Sequence, residues 1–139
     1  MRAGLPGPDG VRHGQRLVTG GLTALLLFIA VQEALPGASC STFWVTGYNR
    51  SDPSMAPTTA DGTPTFSPEP VVAVWLVDGR RPAIPFGSIV EVEGPEGLRA
   101  FRVADTCPGC DPGHIDVGAW SNGEAYTWTG HRTVCISGP

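Results

Sequence analysis

Glycine and proline occupy 33 of the 139 positions, 19 and 14 respectively, so a break or turn interrupts the chain about every fourth residue. No long helix survives that punctuation, which excludes coiled coils and helical bundles. What lies between the breaks is short and strand-like. Ser41 to Tyr48 alternates with period two, placing Phe43 and Val45 on one face and Trp44 and Thr46 on the other. Val71 to Val77 is an apolar run closed by the turn pair Asp78-Gly79. Ile89 to Glu93 and Leu98 to Val103 flank Gly94-Pro95-Glu96-Gly97, a hairpin connection, and Thr133 to Ile136 is a last short strand. One short helix is predicted near Asn122 to Trp128. Asn49 to Pro70, rich in Asp, Ser, Thr and Pro, predicts a long loop of the kind that carries function in small domains. Five or six short strands, one short helix and no βαβ unit predict an all-β fold closed into a small barrel.

The first residues follow a different pattern. Arg2, Arg12, His13 and Arg16 precede an uncharged run from Leu17 to Val31, and the small residues Pro36-Gly37-Ala38-Ser39 come next. Basic, apolar and small segments in that order form a secretory signal. The apolar run is about 15 residues long and contains Gly20 and Gly21, short of the ~20 residues that span a membrane, so no permanent membrane span is expected. Residues 1–39 are thus read as a signal peptide or N-terminal membrane segment, and 40–139 as the exported domain, secreted or held in the cell envelope. Cys40 would stand beside the new N-terminus, which raises a lipoprotein reading, although Gly37-Ala38-Ser39 lacks the Leu expected three residues before a lipidated Cys. Beyond residue 39 six arginines face eleven acids, and the chain has no lysine. Without a basic footprint, nucleic-acid partners are excluded, and a soluble monomer is expected.

Four cysteines, Cys40, Cys107, Cys110 and Cys135, fall in an exported domain of about a hundred residues, and an even count there reads as disulfides with three connectivities. The favoured pairing closes a tight loop between Cys107 and Cys110 and ties the ends of the domain through Cys40 and Cys135. The competing reading is zinc held by Cys107, Cys110, His114 and Cys135. Only one CxxC is present and export favours oxidation, so neither metal nor cofactor is predicted.

The stretch richest in chemistry runs from Phe101 to Val117. A strand ends at Asp105, a Gly/Pro/Cys loop follows, and a second extended piece presents Asp116. Two carboxylates near one cleft suit general acid and base work on a glycosidic bond, since burial or like charge can raise one pKa while the other group stays ionised. The alternative is that both aspartates accept backbone hydrogen bonds and shape a loop.

Tyr48, Thr59-Ala60-Asp61-Gly62-Thr63-Pro64, Val72-Ala73-Val74, Ile84-Pro85-Phe86-Gly87-Ser88, Val103-Ala104-Asp105-Thr106 and His114-Ile115-Asp116-Val117 occur in an order and approximate spacing that resembles the bacterial 3D domain. The resemblance runs from about Thr42 to Ile136. It implies a double-psi β-barrel, as in the C-terminal part of membrane-bound lytic transglycosylase A. The stretch from Asp105 to Cys110 with Ile115-Asp116 is also similar to rare lipoprotein A-like and expansin-like barrels. The implied activity is cleavage of peptidoglycan between N-acetylmuramic acid and N-acetylglucosamine without water, leaving a 1,6-anhydro sugar. Asp116 matches the family's catalytic aspartate and Asp105 its neighbour, with Tyr48, Thr63, Thr106, His114 and Trp75 as substrate-binding candidates.

Two departures bear on that reading. The family's Val-Ala-Val-Asp is here Val72-Ala73-Val74-Trp75, so the first of its three aspartates is absent from its place, and Trp75 either stacks on a sugar or fills core. Two cysteines also stand between Asp105 and Asp116, a feature of the expansin-like side. Three alternatives follow: a wall-polysaccharide binder that cuts nothing, a hydrolytic endoglycosidase using both aspartates, and an interaction domain in which the aspartates are structural.

Overall fold

The computed structural model describes residues 37–138; the proposed signal segment falls almost wholly outside these described residues. In chain order the elements are β1 (Ser39–Asn49), β2 (Val71–Val74), β3 (Leu76–Val77), β4 (Arg81–Pro82), β5 (Ile89–Gly94), β6 (Gly97–Thr106), β7 (His114–Ala119), α1 (Asn122–Trp128) and β8 (Gly130–Ser137). Six strands close a barrel in the order β1-β7-β2-β6-β5-β8, while β3 and β4 form a separate hairpin. Two pairings, β1 with β7 and β2 with β6, are parallel, and the remaining barrel pairings are antiparallel. This is the double-psi β-barrel that the sequence predicts.

Alternation in β1 works as expected: Phe43 and Val45 are buried and Trp44 is exposed. With Val72, Val74, Val90, Val92, Phe101, Val103, Ile115, Val117 and Val134 they fill the barrel. Each such side chain contributes about 1.5–3 kcal/mol by leaving water, so a few large side chains and many valines suffice for a small interior. The helix begins at Ser121, whose hydroxyl accepts from the Glu124 N–H at 3.1 Å, while the Glu124 carboxylate accepts from the Trp120 N–H at 2.9 Å. It buries Ala125 and Trp128, and the Trp128 ring meets Phe101 nearly at right angles, 5.3 Å between centroids. Gly47 permits this docking, because a Cβ there would come within 2.6 Å of the Ala125 carbonyl oxygen.

Three details differ from the sequence reading. The run Val71 to Val77 breaks after Val74: the Cys107 N–H takes the Val74 carbonyl at 2.8 Å and the Ala83 N–H takes that of Trp75 at 2.9 Å. The chain therefore leaves the barrel at Trp75, and Leu76–Val77 pair with Arg81–Pro82 instead. The turn signal itself holds, since Asp78 and Gly79 both take positive φ, 55° and 64°. The last strand starts at Gly130 rather than Thr133, because the polar residues His131 and Arg132 pair with Trp44 and Phe43. Finally, β6 and β7 are consecutive in the chain but not neighbours in the sheet; β2 lies between them.

Both favoured disulfides are present, Cys40–Cys135 and Cys107–Cys110, so none of the described cysteines is free. With its sulfur in a bridge, Cys40 has none available for the thioether of a lipoprotein, and no cysteine thiolate remains for zinc. Among the described residues, no group of three or more His, Cys, Asp or Glu side chains is placed to hold a metal ion. No helix of the described residues is long and apolar enough to cross a membrane. The Cys40–Cys135 bridge joins directly paired positions of β1 and β8 across 95 residues of chain. Replacing both cysteines by serine is expected to lower unfolding free energy by about 3–5 kcal/mol in denaturant titrations, with the folded spectrum retained in water.

Candidate functional site

The sheet register brings the two aspartates of the resemblance to either side of one residue. On β2, Ala73 pairs with Asp116 of β7 on one side and with Asp105 of β6 on the other. A bulge makes this happen: Val72 faces Val103, and the next β2 residue, Ala73, faces Asp105, so Ala104 is skipped. Without that extra residue Ala104 would stand beside Ala73, and Asp105 would be one place further along. Because Val72, Val74, Ile115 and Val117 fill the core, Ala73 and Asp116 turn to the outer face. β1 extends the row, pairing Thr46 with Asp116. Across four strands the row reads Thr46, Asp116, Ala73, Asp105, with the buried methyl of Ala73 between the two aspartate positions.

Asp116 is half-buried. Its Oδ1 accepts from the Thr46 hydroxyl at 2.7 Å, and the same hydroxyl lies 2.8 Å from Nε2 of His114. A hydroxyl has one proton to give, so with Asp116 ionised His114 Nε2–H is the donor to Thr46. Burial pushes the Asp116 carboxyl above the ordinary carboxylate range; the Thr46 bond and His114 pull the other way, and the charge of Asp105 adds to the rise. Asp105 is held differently. Its Oδ1 accepts from the backbone N–H of Ala60 at 3.0 Å and of Thr106 at 2.9 Å, which fastens the long loop to the end of β6.

Tyr48 stands one row beyond Thr46, opposite Gly118. Its hydroxyl is buried without a hydrogen bond of good geometry, and it lies above Gly118, where a Cβ would come within 3.2 Å of it. Burial, then the charge of Asp105, raises its pKa, so the phenol stays protonated and available as a donor. Trp75 is half-buried and packs against Phe43, ring centroids 5.9 Å apart, which is the core-filling alternative. Thr106 ends β6 opposite Val74. The Cys107–Cys110 loop is pinned at both ends, by the Cys107 bond to Val74 and by the Trp44 N–H donating to Gly113 at 3.0 Å. The loop that joins the aspartates in sequence is thereby held at the same end of the barrel.

Thr63 and Asp61, expected to border the groove, are engaged by Arg102. Its guanidinium donates to Asp61 at 2.5 Å, to the Thr63 hydroxyl at 2.7 Å, and to both Glu69 oxygens at 2.6 and 2.9 Å. Burial pushes the Asp61 carboxyl upward, but the bonds from Arg102, the Thr63 N–H and the Thr59 hydroxyl outweigh it and hold the group well below the usual range. A second arginine, Arg50, is 1% exposed. It donates to the carbonyls of Glu69 and Ser67 at 2.7 and 2.9 Å and lies 4.7 Å from the Trp120 ring centroid. Sequence reasoning singled out neither arginine, nor Thr46 as a partner of Asp116. Thr46 was legible as a polar residue on the outer face of β1, whereas nothing local marks Arg50 and Arg102 as loop anchors.

Two of the concavities at the surface of the described residues adjoin α1. One of about 390 Å³ is lined by Thr46, Gly47 and Asn49 of β1 and by Asn122, Ala125, Tyr126 and Thr129 around α1, so it adjoins Asp116 through Thr46. The other, about 440 Å³ at the Gly94–Arg99 hairpin and the far side of α1, has none of these groups in its lining.

No family model matches the chain, and no curated protein matches its sequence. Solved structures do. The chain is similar to an expansin of Clavibacter michiganensis in its apo form, at 23% identity and TM-score 0.49 over 71% of this chain and 50% of that one. An aspartate-to-asparagine mutant of that expansin, in complex with cellohexaose, matches at 22% identity and TM-score 0.48, with the same coverage. The chain thus spans about half the length of these expansins. A papain inhibitor from Streptomyces matches at 22% identity and TM-score 0.52, over 70% of this chain and 94% of that one. At 22% identity the likeness to the papain inhibitor shows the fold alone, a scaffold that hosts unrelated activities.

Two pH experiments test the electrostatics. The folded Asp61 carboxyl binds a proton less readily than the unfolded one, so its stabilisation is complete above about pH 5 and is lost progressively below about pH 4, down to its depressed folded pKa. Arg102→Met is expected to cost about 2–3 kcal/mol at pH 7 and clearly less near pH 2, measured as denaturation midpoints. Asp116 has the opposite sign. Its folded carboxyl binds a proton more readily, so its charge destabilises the fold as pH rises through the ordinary carboxylate range. Asp116→Asn is therefore expected to leave Tm unchanged near pH 3 and to raise it by a few degrees at pH 7.

Proposed function

We propose that this protein acts on cell-wall polysaccharide, as a lytic transglycosylase of peptidoglycan in which Asp116 is acid and then base. The observation that carries the reading is Asp116 itself: a half-buried carboxyl with a raised pKa, on the outer face of the barrel, held by the Thr46 hydroxyl at 2.7 Å. A carboxyl so placed keeps its proton closer to neutral pH than an exposed one and has a fixed direction in which to give it.

The protonated Asp116 gives its proton to the oxygen that links N-acetylmuramic acid to N-acetylglucosamine. As the C1–O bond breaks, positive charge develops at C1 and the ring oxygen, and the new Asp116 carboxylate and the Asp105 charge across Ala73 favour it. The muramic sugar's own 6-hydroxyl then bonds to C1 and its proton passes to Asp116. The acid is regenerated, no water enters, and the product ends in a 1,6-anhydro ring. Thr46 orients the carboxyl throughout, and His114 fixes Thr46. Thr106 borders the site as a donor to sugar hydroxyls, and the buried, protonated Tyr48 supports the site by packing beside it.

A second reading is a wall-polysaccharide module that binds without cutting. Two observations favour it: Asp105 is engaged by two backbone N–H groups of the loop, and Trp75, where the 3D pattern has an aspartate, packs on Phe43.

Mass spectrometry of soluble products after the purified, oxidised protein is incubated with peptidoglycan separates the readings. Anhydro-muropeptides from wild type, reduced at least a hundredfold in a folded Asp116→Asn, are expected. Co-sedimentation of both proteins with the wall and no released product would sink the enzyme and leave the binding module. Reducing-end products would mean hydrolysis by water.

A further inference from the structure

Trp44 takes no part in the chemistry described above, yet it is 41% exposed in the middle of a strand. Its neighbours Phe43 and Val45 face the core, so the indole stands on the same outer face as Thr46, two residues on, about 7 Å along the strand. In the sheet Trp44 pairs with His114 on one side and His131 on the other. Trp44 and Val45 are the two β1 residues registered with both neighbouring strands, which makes their backbone among the most constrained on this face. The His131 ring meets the indole at 69° with 5.1 Å between centroids, which limits its rotation. Trp44 is thus a large flat apolar surface, held rigid and wet, one row from the hydrogen-bonded chain His114, Thr46, Asp116.

The other exposed aromatics of the described residues do not combine these features. Trp120 is partly covered by the Arg50 guanidinium, and Phe66 lies on the long loop. Tyr126 is on α1, beyond Thr46 in the opposite direction along β1.

We infer that Trp44, braced by His131, is a sugar-stacking subsite that binds the pyranose ring next to the one cleaved at Asp116. The inference rests on the polysaccharide reading above but not on catalysis. An apolar pyranose face laid on the indole leaves its equatorial hydroxyls at the rim, within reach of water and of the His131 and His114 rings. Stacking of this kind orders the chain with little loss of side-chain freedom, because the indole is already fixed. The distance from Trp44 to Thr46 is close to the width of one sugar, so adjacent rings of a polymer lying along β1 would reach both.

The test measures co-sedimentation with peptidoglycan in the Asp116→Asn background, so that nothing is cut, together with product release in the otherwise wild-type protein. Trp44→Ala is expected to weaken binding about tenfold, Trp44→Phe about threefold or less, and His131→Ala by an intermediate factor, all with unchanged circular dichroism. Product release at low substrate should fall in parallel. Equal binding by Trp44→Ala and its parent overturns the subsite, even if wild type releases anhydro-muropeptides and the transglycosylase reading stands. Loss of binding in Trp44→Ala with no product from wild type establishes the subsite on a non-cutting module. Absence of wall binding in the parent overturns both.

Discussion

The barrel depends on the double engagement of β1. Its first half, Ser39 to Val45, pairs antiparallel with β8, and its second half, Trp44 to Asn49, pairs parallel with β7. One eleven-residue strand thus closes the sheet, and its halves overlap only at Trp44 and Val45. Where β8 leaves it, the exposed edge is covered by α1, which reaches the backbone of Gly47. Closure on one side and a helix on the other leave no long free edge, which a small domain of mostly short strands needs in order to avoid pairing with other chains. The Cys40–Cys135 bridge sits on the first-half ladder and holds β1 to β8 from the end.

From that closure the site follows. β2 sits between β6 and β7, so one residue, Ala73, borders both aspartates, and Thr46 of β1 is carried next to Asp116 by the parallel pairing. The bulge at Ala104 adjusts the remaining position by one residue and turns Asp105 to the same row. A one-residue change in a strand reverses the face of every side chain beyond it, so this single irregularity decides whether the carboxylates meet across Ala73 at all.

The long loop would lose much chain entropy on ordering and has few apolar residues to repay it. Two arginines hold it instead. Arg50, fully buried, reaches the carbonyls of Ser67 and Glu69, and Arg102 gathers Asp61, Thr63 and Glu69. Arg102 is met by two carboxylates and a hydroxyl, and Arg50 by two carbonyls and the Trp120 ring, with its buried Nε left without a hydrogen bond. Asp105 completes the attachment through Ala60. Asp61 and Thr63 both bind Arg102 and so help to support the loop, while the outer face of β1 supplies Trp44 and Thr46.

What was local in origin was legible in the sequence. Period-two alternation in Ser41 to Tyr48 identified β1 and its two faces, Asp78-Gly79 marked a turn, and a short helix was expected near Asn122 to Trp128, where α1 lies. That the cysteines pair was legible in their even number, with this pairing preferred among three connectivities, and the sheet decides it by setting Cys40 directly opposite Cys135. The motif order pointed to the double-psi barrel through its resemblance to the 3D domain. The remainder is non-local. No periodicity states that β2 will lie between β6 and β7, that Ala104 will bulge, or that Leu76–Val77 will leave the barrel once their neighbours' carbonyls are taken. Asp116 was recognisable as a candidate from its motif, but its burial, its bond to Thr46 and its raised pKa exist only when β1 and β7, some 70 residues apart in the chain, lie side by side. The residue types and the short-range turns are written along the chain; the electrostatics that make one aspartate different from the others come from which strands the closed sheet sets next to it.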